Sequence, residues 1–236
     1  MTNAILTLDL TGSPFPQPKR TLLAESIADS VAEAIATRIL TPGERIVETT
    51  LADKLGVSRV PIREALKVLH AQGILSGGGH RGYRVASFAP ETISKVMEVR
   101  LMLESFLLRD ALENWRARIE DPAELDIPIQ QMKMSARAGD GRASLRADLD
   151  FHRAICRASR NDIAATLWNA IARHVLVIFS LDPYRDKDLS MVARQHEVLR
   201  DWILEQIVRT PTVDEIRTSL EDHLFLVARR RLSNAE

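Results

Sequence analysis

The sequence has a single cysteine, few glycines and no long apolar run. Because Cys156 has no partner cysteine, an intramolecular disulfide is excluded, and its apolar neighbours predict a buried thiol in a reducing compartment. The longest strongly apolar run, Val175 to Phe179, is far too short to cross a bilayer. Ten glycines among 236 residues and 45% hydrophobic residues exclude a collagen-like or largely disordered chain. We therefore expect a globular, cytoplasmic protein without a membrane partner.

The chain also lacks an overall charge of either sign. Lys plus Arg and Asp plus Glu each number 32, which argues against a general polyanion binder. Between Lys19 and Pro90, however, ten Lys and Arg stand against seven Asp and Glu, so this segment carries +3 and the remainder −3. A modest basic excess therefore lies in the N-terminal part of the chain.

Apolar residues recur at helical spacing along most of the sequence, and strand-like alternation appears only near residues 74–86. A chain of 236 residues is long enough for two domains. We predict a mobile arm over residues 1–20, a first domain over 21–88 and a second, helical domain over 89–236.

The first domain is predicted to contain three helices followed by a β-hairpin. The helices span about Leu22–Leu40, Thr49–Leu55 and Ser58–Gln72, and the hairpin strands are Ile74–Ser76 and Tyr83–Val85. Ser58 is a good N-cap for the third helix, and Pro61 suits its first turn, where an amide hydrogen has no intrahelical partner. This order of elements is that of a winged helix-turn-helix.

The second domain shows only the helical period. Helices are predicted near residues 91–117, 122–138, 142–159, 161–180, 188–209 and 212–232. Six consecutive helices predict an antiparallel bundle. The fold class is therefore mainly α, with an N-terminal winged helix-turn-helix and a C-terminal antiparallel bundle of about six helices.

The third predicted helix carries a basic stripe. Arg59, Arg63 and Lys67 lie four residues apart and share one face, beside an apolar stripe that can pack on the first two helices. Such a helix fits the major groove of DNA, where basic side chains bind guanine or phosphate. His80 and Arg81 at the hairpin tip can reach phosphate or the minor groove. A basic stripe alone is usually a solvated surface, but together with the helix-turn-helix and the basic wing it predicts DNA binding.

Four metal-ligating side chains lie on apolar stripes of three helices in the second domain. Asp148 and His152 are four residues apart on one helix, and His196 and His223 lie on two others. In a bundle core they would supply nitrogen and oxygen ligands for zinc, nickel, iron or manganese, with coordination sites left for a carboxylate. A lone buried histidine is more often a hydrogen-bonded core residue, whereas the four together favour a metal site.

Three more polar residues are candidates for contact with an effector. Arg100 lies on an apolar stripe, where it either pairs with Glu104 one turn later or clamps an effector carboxylate. His174 is either a satisfied core residue or part of the effector pocket. Asn161 is predicted to cap a helix and could also face the pocket.

The first domain resembles the winged helix of the GntR family of bacterial transcription regulators. The similarity runs through Pro42-Gly43-Glu44-Arg45, Leu55-Gly56-Val57-Ser58-Arg59, Pro61-Ile62-Arg63-Glu64-Ala65-Leu66, Gly73-Ile74-Leu75 and Arg81-Gly82. It implies that Arg45, Ser58, Arg59, Arg63 and the wing from Gly79 to Gly82 contact operator DNA, with two subunits on a palindromic site. The complete set of expected DNA-contacting residues is Arg45, Ser58, Arg59, Pro61, Arg63, Lys67, His80, Arg81 and Gly82.

Residues from about 91 to 230 resemble the FCD-type effector domain of the FadR-like branch of that family. The similarity rests on Val99-Arg100 with Glu104, Asp148 with Phe151-His152, Ala158-Ser159 with Asn161, and His196 with His223. It implies that Asp148, His152, His196 and His223 are metal ligands and that the domain forms a homodimer.

The sequence thus predicts a repressor homodimer that binds double-stranded operator DNA and is controlled by a small organic acid at a divalent metal, zinc foremost. One alternative is a regulator whose metal is purely structural. Another is a metal-dependent hydrolase, because a metal with open coordination positions can activate water. The hydrolase is disfavoured, since the chain has no His-Glu-x-x-His pattern, no phosphate loop after its triple glycine and no nucleophile elbow.

Overall fold

The computed structural model describes residues 19–78, 82–179 and 188–233. Its elements, in chain order, are α1 (Lys19–Ala36), β1 (Arg45–Ile46), α2 (Glu48–Leu55), α3 (Arg59–Ala71), β2 (Leu75–Gly77), β3 (Tyr83–Val85), α4 (Pro90–Arg116), α5 (Asp126–Ala138), α6 (Gly141–Ser159), α7 (Asp162–Phe179), α8 (Leu189–Val208) and α9 (Val213–Ser233). The predicted fold class is confirmed: a winged helix formed by α1 to β3 precedes a helical bundle formed by α4 to α9. Residues 1–18 of the predicted arm, and His80 and Arg81 of the predicted wing, lie outside the described residues.

The winged helix is built on the apolar faces of α1 and α3. The buried side chains are Ile27, Val31 and Ile35 on α1 and Ile62, Leu66 and Leu69 on α3. Beside them lies an antiparallel sheet of order β1-β3-β2, with Leu75 opposite Val85 and Ile46 opposite Tyr83. The hairpin of β2 and β3 was predicted, whereas β1 was not, because two residues are too few to show alternation.

The ends of the helices agree with the predicted turn and capping residues except at the end of α1 and at Ser58. Gly56, at φ 65°, ends α2 as predicted. Helix α1 ends at Ala36, four residues before the predicted Leu40, because Arg38 takes a left-handed φ of 59°. Ser58 occupies the N-cap position of α3, as predicted. Its hydroxyl forms no capping hydrogen bond with a backbone amide of that helix, so this part of the prediction is wrong.

The bundle is arranged around α4, which packs against α6, α7, α8 and α9. Fully buried large side chains fill its interior: Leu107, Leu108, Phe151, Trp168, Ile203 and Leu220. The lone cysteine, Cys156, is also buried, as predicted, and burial raises the pKa of its thiol to about 12. Across the described ranges, every helix is too short or too polar to span a membrane.

Candidate DNA interface and metal centre

The predicted basic stripe is present on the solvent side of α3. Arg59, Arg63 and Lys67 are exposed, while Ile62 and Leu66 on the opposite side are fully buried. One face of α3 therefore packs into the winged helix and the other projects three positive charges outward. This is the division of faces that a helix needs to enter a groove of DNA.

Arg63 is held in place by an acidic residue of the preceding helix. Its Nε and Nη2 donate to Oε2 of Glu48 at 3.2 and 3.0 Å, and these hydrogen bonds raise the pKa of the guanidinium. The Arg63 side chain is nevertheless 53% exposed. Similarly, Lys67 Nζ lies 2.9 Å from Glu64 Oε1. Both basic groups are thus oriented by carboxylates and remain accessible to a polyanion.

The remaining predicted DNA-contacting residues lie around this helix. Ser58 is exposed just before α3, and Pro61 is half-buried in its first turn. Arg45 is exposed on β1, and a Cβ added at Gly82 would lie 3.3 Å from Arg45 Nε. Because Gly82 also has a φ of 71°, a side chain there would be strained and would press on the arginine.

The predicted metal ligands converge in the bundle. One ring nitrogen each of His152 on α6, His196 on α8 and His223 on α9 lie within 4.8 Å of one another. Asp148, one turn before His152, places Oδ1 3.2 Å from Nε2 of His196. His152 and His196 are 1% and 2% exposed, whereas His223 is half-buried, so two of the three rings are shielded from bulk water and His223 lies at the edge of the cluster.

His196 lies between two hydrogen-bond acceptors. Its Nδ1 is 2.8 Å from the carbonyl oxygen of Val192, and its Nε2 faces the carboxylate of Asp148. A neutral imidazole carries a single proton and can donate to only one of them. If Nδ1 donates to Val192, then the lone pair of Nε2 and the carboxylate of Asp148 face each other. A cation between these two groups would stabilise this arrangement.

Other polar atoms at the cluster also lack partners. Asp148 Oδ2, His152 Nε2 and His223 Nδ1 are buried and form no hydrogen bond with any residue in the described part of the chain. A buried polar atom without a partner costs about 1–3 kcal/mol. Burial by itself would raise the pKa of Asp148, but the nearby His196 ring outweighs it and keeps that pKa well below its usual range. Burial lowers the pKa of His223 well below its usual value. An ionised carboxylate and neutral imidazoles are the forms that bind a transition metal, so the residues present fit such an ion.

Glu104 on α4 lies behind the cluster. Its Oε1 accepts from Arg100 Nε at 2.7 Å and from Trp168 Nε1 at 2.9 Å, and its Oε2 lies 2.9 Å from His152 Nδ1. Burial would raise the pKa of Glu104, but the charge of Arg100 and the adjacent His152 ring outweigh it and hold that pKa well below the usual range. A carboxylate on the far ring nitrogen fixes the orientation of a ligating histidine. The pairing of Glu104 with Arg100 is one of the two alternatives that the sequence left open, whereas its contacts with His152 and Trp168, which lie on other helices, were not predicted.

The three candidate effector residues have different surroundings. Arg100 is 1% exposed and donates to Glu104, whose second oxygen lies 2.9 Å from His152 Nδ1, so Arg100 lies beside the cluster. Asn161 caps α7 through Ala164 N at 3.0 Å, as predicted, and its amide nitrogen donates to Asp110 at 2.7 Å. The capping role of Asn161 is thus confirmed, and its contact with an effector stays a prediction.

His174 is not part of the histidine cluster. Its Nε2 lies 2.6 Å from the backbone carbonyl of Gln72, immediately after α3, and its ring meets Phe88 edge-on. Of the two interpretations of His174, this contact fits the satisfied core residue, and a contact with an effector stays a prediction. Its side chain joins the bundle to the winged helix, a contact that helical periodicity cannot reveal.

Charged side chains join α1 to the bundle. Arg142 and Arg146 of α6 both bind Glu33, the latter at 2.6 Å. Arg173 of α7 donates to Asp29 at 2.7 Å and also binds Glu25. Helix α6 therefore carries two predicted metal ligands and two arginines that hold the first helix of the winged helix.

A partly open cavity of about 640 Å³ lies between α8 and α9. Its wall includes His223 of the cluster, the apolar side chains of Val198 and Trp202, and the charged side chain of Arg194. A mostly apolar cavity with a few polar groups is typical of a small-molecule site. The cavity therefore gives a small molecule a route to the residue at the edge of the cluster.

Comparison with known proteins identifies both parts of the chain. The sequence model described as bacterial regulatory proteins, gntR family, matches residues 23–85, and that of the FCD domain matches residues 95–224. The chain is 31% identical over 182 residues to a probable D-xylose utilization operon transcriptional repressor of Paenarthrobacter nicotinovorans, covering 77% of this chain and 79% of the relative. It is 27% identical over 177 residues to the gluconate operon transcriptional repressor of Bacillus subtilis, covering 75% and 68%.

A solved structure shares the fold. McbR/YncC of Escherichia coli superposes with a TM-score of 0.71 and 19% sequence identity, over 91% of this chain and 99% of that one. At this identity the likeness shows the arrangement of the helices and nothing about ligands.

Proposed function

Because the chain belongs to the GntR family of bacterial transcription regulators and carries an FCD domain, we propose that it is a repressor that binds a palindromic operator as a homodimer. It is a DNA-binding transcription regulator and not an enzyme, in line with its repressor-named relatives. We further propose that a metal bound by Asp148, His152, His196 and His223 couples a small carboxylate to DNA binding. Zinc is the foremost candidate for that metal, and nickel, iron or manganese are alternatives.

The DNA part of the proposal depends on α3. Its exposed face carries Arg59, Arg63 and Lys67, and the exposed Ser58 precedes it. A recognition helix places its N-terminal residues nearest the base edges, and Arg63, oriented by Glu48, suits bidentate contact with guanine. Arg45 beside Gly82 extends the basic surface toward the wing, where His80 and Arg81 are proposed to contact the backbone.

The metal part depends on one observation: Asp148, His152, His196 and His223 turn ligand atoms toward one another, and several of these atoms form no hydrogen bond with any residue that the structure describes. A bound divalent ion would supply a positive charge and vacant coordination positions there. Asp148 supplies the negative charge, while Glu104 holds the His152 ring by its other nitrogen. Phe151 packs edge-on against His152 and His196 and excludes water from that side.

A carboxylate suits this centre because it is drawn to positive charge. Arg100 is buried beside the cluster and is proposed to attract the carboxylate together with the metal. The Bacillus subtilis relative is named for the gluconate operon, and gluconate is itself a small carboxylate. The cavity that reaches His223 provides the space for such a molecule.

The route from this centre to DNA is proposed to run through α6 and α7. A shift of α6 on ligand binding would move Arg142 and Arg146, and with them Glu33 of α1. His174 on α7 contacts the carbonyl that follows α3. Both contacts lead to the winged helix, whose spacing from its copy governs the fit to two half-sites.

A thermal-shift screen of small organic acids tests the proposal. Zinc-loaded and chelator-treated protein are each heated with the acids, and hits are then assayed for their effect on binding to DNA selected from a random pool. We expect an acid that raises the Tm of the zinc-loaded protein by about 5 °C or more at a hundredfold excess over its Kd, and not of the stripped protein. If chelation lowers the Tm but no acid changes it, the metal is structural and the sensing proposal is wrong.

A further inference from the structure

The solvent side of α4 carries an apolar patch. Val99, Met102 and Phe106 are 42%, 60% and 47% exposed, and on α7 Leu167 is 52% and Ile163 79% exposed. The two helices are neighbours, since Glu104 of α4 bonds to Trp168 of α7, and Asp110 of α4 bonds to Asn161, which caps α7. Large apolar side chains grouped on adjacent helices mark an interaction surface rather than a solvated one.

Opposite charges lie at the two ends of this patch. Lys95 is seven residues before Met102, and Glu113 is seven residues after Phe106, so all four lie on one stripe of the helix. Lys95 and Glu113 are exposed, and neither forms an ion pair with any residue that the structure describes. The stripe is therefore symmetric in position about residue 104 and opposite in charge at its ends.

This pattern matches its own copy in only one orientation. If two α4 helices run antiparallel across a two-fold axis at the level of residue 104, Lys95 meets Glu113 of the second copy and Met102 meets Phe106 of the second copy. A parallel pairing would instead place Lys95 opposite Lys95 and Glu113 opposite Glu113. Because positions 95 and 113 are about 27 Å apart along the helix, neither like-charge pair would be relieved by the other.

We propose that the exposed face of α4, flanked by α7, is the surface on which two copies of this chain pair antiparallel, in a register fixed by Lys95 and Glu113. The inference rests on the homodimer proposed above and specifies its geometry. The apolar centre supplies the attraction, and the end charges select the orientation and register. Each dimer contains every such pair twice, so each charge substitution acts twice.

Charge reversal tests the register. The dimer dissociation constant is measured by analytical ultracentrifugation for the wild type, Lys95→Glu, Glu113→Lys and the double variant, with circular dichroism to check folding. Each single variant places like charges opposite each other, and we expect the dissociation constant to rise about tenfold or more. The double variant exchanges the two charges within each pair and is expected to return to within about threefold of the wild type.

Two controls separate the possible failures. Glu205→Lys makes the same charge change as Glu113→Lys, but at an exposed position of α8, and should leave the dissociation constant unchanged. If the wild type dimerises and the single variants dimerise equally well, the α4 register is wrong while the homodimer stands. If the wild type is monomeric at every concentration, the homodimer of the proposed function is itself wrong.

Discussion

Glu104 accepts hydrogen bonds from Arg100 and Trp168 and contacts His152, so one buried carboxylate holds three side chains of different helices. The group is 3% exposed, and removal of its charge would take the carboxylate that accepts from Arg100 Nε out of a buried ion pair. The orientation of His152 depends on the same carboxylate. Glu104 therefore affects both the stability of the bundle and its affinity for a metal.

We predict that Glu104→Gln lowers the free energy of unfolding by about 3 kcal/mol, because it breaks a buried ion pair. The same variant should bind zinc about tenfold more weakly, since the ring of His152 loses its anionic partner. Urea unfolding and zinc titration measure the two effects. Glu205→Gln, an exposed change on α8, is the matched control, and equal behaviour of both variants would contradict the assignment.

Arg63 is the exposed arginine of α3 that Glu48 orients. Arg63→Ala should lower affinity for selected operator DNA by about tenfold or more, because a bidentate base contact contributes about 1–3 kcal/mol. Arg63→Lys should not restore it, since lysine lacks the planar fork. Electrophoretic mobility shift gives the affinities. Arg137→Ala removes an exposed charge from α5, and a loss as large as that of Arg63→Ala would mean that Arg63 acts only through net charge.

Helical spacing was enough to select residues within one helix but not across helices. Asp148 and His152 were predicted as a pair because four residues return to the same face, and His196 and His223 because they lie on apolar stripes. The Glu48 contact with Arg63 and the Trp168 contact with Glu104 join residues far apart in sequence. Their pairing depends on how the helices pack, which a periodic pattern does not specify.

Among the helices, α6 contacts both the histidine cluster and helix α1 of the winged helix. It carries Asp148 and His152 at the cluster and Arg142 and Arg146 at α1. A change in the position of α6 therefore affects both the cluster and the contacts with α1. Although exposed ion pairs each contribute about 1 kcal/mol or less to stability, they can still determine how the winged helix is oriented on the bundle.

This connection predicts a pattern of hydrogen exchange. In the wild type, zinc should slow amide exchange in α6 and also in α1, because the arginines transmit the stabilisation to Glu33. In Arg142→Ala with Arg146→Ala, zinc should still protect α6 but no longer α1. Arg153→Ala is the control, since Arg153 pairs with Asp150 within α6. Undiminished protection of α1 in the double variant would exclude this route.

The sequence predicted long elements well and short ones poorly. The helices of the bundle extend over many periods, and each lies where the pattern placed it, apart from a 3₁₀ turn at Pro122–Leu125 before α5. Two-residue β1 and the left-handed Arg38 that ends α1 were not predicted, because neither has a local pattern. The hairpin strands were predicted from their glycine tip and β-branched or aromatic residues.

At the scale of the whole molecule, the proposed dimer links the two parts of the chain. Two winged helices must be held at a fixed separation to bind two half-sites, and a pairing of α4 helices would set that separation. The division of the chain into an arm over residues 1–20 and domains over 21–88 and 89–236 stays a prediction, although the two family matches cover residues 23–85 and 95–224.

We predict that Lys95→Glu weakens binding to a DNA with two half-sites but not to a single half-site. The reversed charge disfavours pairing of α4 without touching α3, so only the gain from simultaneous engagement is lost. Fluorescence anisotropy on the two DNA lengths measures both affinities, with Glu205→Lys as control. Equal losses on both DNAs would show that Lys95 affects DNA contact directly.

The most direct test of the central claim is calorimetric titration of metal-free protein with zinc, for the wild type, His196→Ala and His70→Ala. We predict a single site per chain in the wild type and in His70→Ala, whose exposed histidine lies on α3. That site should be lost in His196→Ala, because the ring between Asp148 and Val192 is gone. Absence of zinc binding in the wild type, or unchanged binding in His196→Ala, would contradict the central claim.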